Sequence, residues 1–271
     1  MSSLSAELIA AFRSLRRAPG FTALALSMLA LGIGANVAIF SIFRSIVLSP
    51  LPYAQPERLV GLSAVNSTKA ISMPALSASD FRDFATRSQS YATLAAYRPD
   101  FVSYAPGGAD PIQLVAAHTT ENFFATFAVA PVAGRTFRAE EFSFGAARTA
   151  VLSHRAWRRH FGERPEAIGS TVILNDLPTT LVGVMPENFR EPEFVDVWLP
   201  FPAESPEYFA RDSRFWTTVG RLAPGATLGS AQAEATAIAD ALAREFPSTN
   251  KGWAANVQPL LEMRISGLRR T

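Results

Sequence analysis

The sequence predicts an α+β domain tethered behind one N-terminal transmembrane helix, and three observations predict it. An uncharged apolar run extends from Ala18 to Phe43. It is longer than the about 20 residues a spanning helix needs. Beyond it, short β-rich runs are mixed with separate amphipathic segments, the pattern of an α+β fold. About 220 residues remain after the anchor, enough for one large domain or two small ones with real cores. With 48% hydrophobic residues the chain is not disordered.

The elements follow in order. Leu4, Leu8, Ala11, Phe12 and Leu15 share one helical face, with Arg13, Arg16 and Arg17 largely off it. Residues 1–17 read either as an amphipathic segment on the inner membrane surface or as a plain cytoplasmic extension of the anchor. The arginines precede the apolar run, so residues 1–17 are expected in the cytoplasm and the main domain on the far side. A transmembrane helix is expected over 18–48. The run is too long for a signal peptide, and Ser49-Pro50-Leu51-Pro52-Tyr53 is a poor cleavage context, so the anchor is expected to be retained. Within it, Ala30, Gly34 and Ala38 recur at spacing four. Small residues so spaced let helices approach closely in lipid, and Asn36 and Ser41 supply hydrogen bonds across such a contact.

Pro50, Pro52 and Pro56 stiffen the exit from the membrane. Arg58–Val65 is a strand candidate. Ser79 is the expected N-cap of a helix through Phe81 and Phe84. Tyr91–Tyr104 and Pro111–Thr119 are extended, and Glu121–Phe127 is a short helix rich in phenylalanine. Thr149–Ser153 is a strand leading into a helix with Trp157 and Phe161 at i,i+4. Ser170–Leu174 and Thr179–Val184 form a hairpin around Asn175-Asp176. Val197–Leu199 and Thr217–Leu222 are extended. The apolar stripe Ala231, Ala235, Ile238, Leu242 and Phe246 marks a helix from Leu228 to Phe246, stopped by Pro247. Trp253–Leu261 is a final strand.

The net charge of +2 conceals an asymmetry: residues 1–50 carry +3, the body −4, and residues 263–271 a further +3. Basic charge at membrane-proximal ends suits anionic lipid headgroups rather than nucleic acid. Without cysteine there is no disulfide framework, thiolate zinc site or thiol nucleophile.

A search for chemistry returns little. His154 and His160 are six apart and face different ways on a helix, so no metal is implied. Glu140, Glu141, Glu187, Glu191, Glu193 and Asp196 read as a solvated acidic face. The chain has neither a nucleophile elbow nor a Walker A motif, so no catalytic residue, cofactor or ATP hydrolysis is assigned to it. Trp157, Phe161, Phe123, Phe124 and Phe127 read as core.

An ordered series of short motifs carries a resemblance. Arg16-Arg17-Ala18-Pro19-Gly20-Phe21, LALGIGAN (Leu29–Asn36), PLPY (Pro50–Tyr53) and ERLV (Glu57–Val60) come first. SASDFRDF (Ser77–Phe84), GRTF (Gly134–Phe137), VLSHRAWRRHFG (Val151–Gly162), LVGVMPENF (Leu181–Phe189), VWLP (Val197–Pro200) and GRLAPG (Gly220–Gly225) follow. The series resembles the N-terminal part of MacB/FtsX-like ABC-transporter permeases. The resemblance implies a periplasmic core domain over 49–262: a porter-like part of βαβ units at about 57–125 and 210–262, with an inserted second lobe at about 126–209. Residues 263–271 would be a basic membrane-proximal tail. It also implies a non-enzymatic component of the inner membrane, used in efflux or mechanotransmission and working with a separate cytoplasmic ABC ATPase subunit and a second permease protomer or half. Ala30, Gly34, Asn36 and Ala38 would then be the helix-packing face. Leu8, Phe12, Arg13 and Arg16 would lie beside the ATPase. The alternative is an anchored extracytoplasmic binding module without transport. Family members continue into three further membrane helices, so the resemblance implies either a fragment or a single-span partner.

Overall fold

The computed structural model describes residues 19–47, 51–66, 71–73, 75–107, 110–202 and 210–268. The chain divides into two compact units, Met1–Pro50 and Leu51–Thr271. The first holds α1 (Pro19–Val47), a helix of 29 residues. Proline opens it, where the missing N–H costs nothing. Its stretch Pro19–Val37 is long and apolar enough to cross a membrane and is not buried by protein.

The second unit is built on one twelve-stranded sheet. At one end, β1 (Leu59–Asn66) lies between β12 (Trp253–Pro259) and β11 (Arg214–Leu222), with β4 (Tyr91–Ala105) beyond β11; every pairing is antiparallel. Helix α2 (Ala78–Arg87) connects β1 to β4, and α5 (Leu228–Glu245) connects β11 to β12. Each connection joins two parallel strands with a third between them, so this end contains two interlocked split βαβ units. Short strands β2 (Ile71–Met73) and β3 (Leu76–Ser77) pair with β1 and β11.

Between β4 and β11 the chain builds the other end. β4 pairs β5 (Ile112–Thr119), which leads into the short helix α3 (Phe123–Phe127); β5 pairs β10 (Val197–Pro200), and β10 pairs β7 (Thr149–Leu152). β7 then pairs β9 (Leu177–Val184), β9 pairs β8 (Thr171–Leu174), and β8 returns to β4. The six strands close a ring, which removes free edges. β6 (Ala133–Gly134) adds to β9. Leu114, Leu152, Leu174, Leu181, Val184 and Val197 belong to one buried cluster of this ring.

Local signals explain the elements. The side chain of Ser77, not Ser79, caps α2 by accepting from the Asp80 N–H at 3.0 Å; Ser79 lies buried inside the helix. Ser153 caps α4 (His154–Phe161), and Gly162 ends it in the left-handed region. Asn175 and Asp176 have φ of 50° and 59°, the two left-handed residues a tight hairpin turn requires. The stripe of α5 is buried as expected, with Ala231, Ala235, Ile238 and Leu242 against the sheet. Pro247 ends α5 and also opens a single-turn helix, α6 (Pro247–Asn250). The final strand stops at Pro259, where α7 (Leu260–Leu268) begins. This helix takes up the end of the strand expected to reach Leu261.

Candidate functional site

The residues that matter fall into three places. The first is the face of α1. Ala30 and Gly34 lie on one side of the helix and are exposed. A Cβ added at Gly34 would meet nothing within 4 Å. Ala38 follows in the same register. Asn36 is two residues beyond Gly34, about 200° around the axis, so it belongs to another face. Leu8, Phe12, Arg13 and Arg16 lie outside the described residues.

The second place is a buried polar node on residues 189–191. Glu191 is 2% exposed. Its carboxylate receives the guanidinium of Arg264 on α7 and the hydroxyl of Tyr97 at 3.3 Å. Its carbonyl accepts from the Trp198 indole at 3.0 Å. The neighbouring Arg190 N–H donates to the Tyr53 hydroxyl at 3.3 Å. Burial pushes the Glu191 carboxyl above its usual range, while Arg264 and Tyr97 pull it back down. Burial likewise acts to lower Arg264, but the facing carboxylate outweighs it and keeps the guanidinium charged. Arg264, the first basic residue of the expected membrane-proximal tail, pairs with the buried Glu191. Around the node, Tyr53, Phe123, Phe124, Phe127, Phe189 and Trp198 form a continuous aromatic core, with Phe189 5.4 Å from both Phe127 and Trp198.

The third place is a cleft of about 260 Å³ between α4 and the 187–195 loop. Ser153, His154, Arg155 and Arg158 form one wall, and Glu187, Phe189, Arg190 and Pro192–Val195 the other. Arg155 donates to the Phe194 carbonyl and, at 2.8 Å, to Asp196. Phe194 is 70% exposed and held at φ 65°.

The expected acidic face divides. Glu140, Glu187 and Glu193 are exposed. Glu141, Glu191 and Asp196 are buried and fixed by Arg135, Arg264 and Arg155 respectively. Each needs an arginine because an unpaired buried carboxylate is costly. These pairings span 6, 73 and 41 residues, and only the shortest lies within reach of a local pattern. His118 pairs with Asp100 at 3.0 Å, and the His154 ring packs edge-on to Trp157. Among the described residues no group of three or more His, Asp or Glu side chains is placed to hold a metal.

The sequence profile of the MacB-like periplasmic core domain matches residues 22–238, most of the chain. The chain belongs to that family. Among curated proteins none matches the chain. Solved structures share the fold of the MacB-like domain. The periplasmic region of MacB from Actinobacillus actinomycetemcomitans superposes with a TM-score of 0.56 at 12% identity, over 79% of this chain and 94% of that one. The extracellular domain of the noncanonic ABC-type transporter YknZ from Gram-positive bacteria gives 0.54 at 14% identity, over 74% and 99%. The MacB-like domain here is thus a mixed α+β unit following an apolar helix, as the motif series implies.

Proposed function

We propose that this chain is the membrane-anchored permease component of an ABC-type export or mechanotransmission system. α1 spans the cytoplasmic membrane with residues 1–17 inside, and the MacB-like domain stands outside. A separate cytoplasmic ATPase hydrolyses ATP, and its closure moves the membrane helices and, through them, the domain. The chain itself performs no chemistry; its work is a shift between conformations biased from across the membrane. Residues 57–125 and 210–262 form the porter-like part and 126–209 the inserted lobe. Ala30, Gly34 and Ala38 face another membrane helix, such as one of a second permease protomer, while Asn36 meets a different neighbour. Leu8, Phe12, Arg13 and Arg16 lie beside the ATPase.

The observation that supports this reading is the family match itself, which starts inside α1 at residue 22 and extends to residue 238 in α5, so it takes in both the apolar helix and most of the domain. The test has two arms. The chain lacks cysteine, so single cysteines at Ser3 and Asp110 report sidedness without background. An impermeant maleimide on intact spheroplasts should label Asp110→Cys alone. The full chain, extracted from its own membranes, should bring down a nucleotide-hydrolysing ABC subunit. Outward topology without any ATPase would favour an anchored binding module.

A further inference from the structure

We propose that residues 189–191 form a clasp through which both chain ends of the MacB-like domain set the width of the cleft beside α4. The geometry stands on its own; its use in transmission rests on the function proposed above.

Three consecutive residues are held from two directions. Tyr53 lies six positions after the last residue of α1 and accepts the Arg190 N–H. Arg264 lies on α7, at the other end of the domain, and meets the Glu191 carboxylate and the Arg190 carbonyl. Phe189 anchors the segment between Tyr53 at 5.8 Å and Trp198 at 5.4 Å. Tyr97 and Trp198 complete the hydrogen bonds of Glu191. The segment before the first strand and the helix after the last strand therefore converge on one tripeptide, which belongs to neither.

That tripeptide continues directly into the wall of the cleft. Pro192, Glu193, Phe194 and Val195 follow without an intervening element, and α4 forms the opposite wall. The far end of the loop is fixed as well, because Arg155 holds the Phe194 carbonyl and Asp196. A bulky residue in the left-handed region is disfavoured and persists where its surroundings over-determine it. Phe194 has that conformation with its ring in solvent, and the fixation comes from the loop's two ends.

A buried ion pair adds little net stability compared with apolar packing, but breaking it by removing one partner is costly. Such a pair constrains geometry more than it stabilises. If α7 moves, Glu191 either follows Arg264 or is left buried without its counter-charge. Following it moves residues 192–195 relative to α4. A displacement at a chain end is thereby converted into a change in cleft width.

The test uses the full chain in lipid nanodiscs, without any ATPase. Spin labels at Arg158→Cys and Glu193→Cys read the distance across the cleft by pulsed electron resonance. Hydrogen exchange is followed in residues 187–195 and, as a control, in β7. Arg264→Met should shift or broaden the distance by about 2 Å or more. It should also raise exchange in 187–195 about tenfold or more while leaving β7 protected. Arg264→Lys, which keeps the charge, should stay close to wild type. If Arg264→Met does not fold, Tyr53→Phe removes the hydroxyl that accepts from Arg190 and faces Arg264, and should move the same readouts in the same direction. An unchanged distance and exchange would overturn the clasp, as would exchange raised equally in β7, which is general destabilisation. Because no ATPase is present, either result leaves the co-purification test of the permease reading untouched.

Discussion

Arg135 grips Glu141 through two parallel bonds of 2.9 and 2.7 Å, and the same carboxylate accepts the Arg138 N–H at 2.7 Å. Burial acts to raise the Glu141 carboxyl, but these donors outweigh it and leave it below its usual range. A carboxyl lowered in the folded state contributes stability at pH values above its unfolded value, about 4.3. That contribution is lost as pH falls through the folded value. Glu141→Gln should cost about 1–2 kcal/mol at pH 7, since Arg135 is partly solvated, and the cost should shrink toward pH 3. Melting of the detergent-solubilised chain across this range checks both the size and the direction.

His118 gives a second pH window. Burial and the neighbouring Arg98 lower its pKa, while Asp100 works against them. The unfolded chain therefore binds this proton first, and stability declines as pH drops below about 6.5 through the lowered folded value. His118→Gln should flatten the pH 7 to 5.5 portion of the melting profile. A profile as steep as wild type in that range would contradict the assignment.

Asp80 organises the seam between α2 and the sheet. It accepts Arg211 at 2.7 Å and Asn250 at 2.8 Å, with Arg214 at 3.5 Å. Arg211 and Arg214 also stack on Phe246 and Trp253 at 3.7 and 3.9 Å. Asp80→Ala would leave the buried Arg214 without its counter-charge and should cost about 3–5 kcal/mol. Asp80→Asn keeps the shape and an acceptor, so it should cost less. Chemical denaturation of both variants distinguishes lost charge from lost packing.

Two glycines sit under close neighbours of different kinds. A Cβ at Gly183 would run into the Arg135 carbonyl oxygen and come within 2.9 Å of its nitrogen. Backbone cannot step aside, so Gly183→Ala should reach or exceed the upper end of about 1–3 kcal/mol. The atoms nearest a Cβ at Gly61 all belong to the Met263 side chain. That thioether is flexible, so Gly61→Ala should cost below about 1.5 kcal/mol. Its effect should be concentrated as faster exchange in α7, which hydrogen-exchange mass spectrometry resolves.

Gly34→Leu addresses the anchor. Filling the space between Ala30 and Ala38 should prevent close helix approach and reduce recovery of partner membrane helices severalfold. Met28→Leu, about 120° around the axis from Gly34, should not. Equal recovery for both variants would remove Gly34 from the packing surface.

These comparisons also show where sequence was informative. The Asn175-Asp176 turn was legible because two adjacent residues contain the whole signal. So was α5, whose stripe repeats over four turns. The cap of α2 was not: Ser79 was expected, but Ser77 stands before the same apolar pattern and is the residue whose side chain accepts from Asp80. Helix α7 was missed because it follows β12 directly, with no cap residue or loop between Pro259 and Leu260. The Glu191–Arg264 pair was beyond reach for another reason. Neither residue is unusual locally, and their 73-residue separation becomes a contact only when the sheet forms.

β1 and β12 are neighbours, and Val60 sits opposite Pro259. The start of the first long strand and the end of the last one therefore leave the sheet side by side. A unit with that arrangement behaves as a plug-in cassette: it can be spliced between two segments of a host chain without forcing them apart.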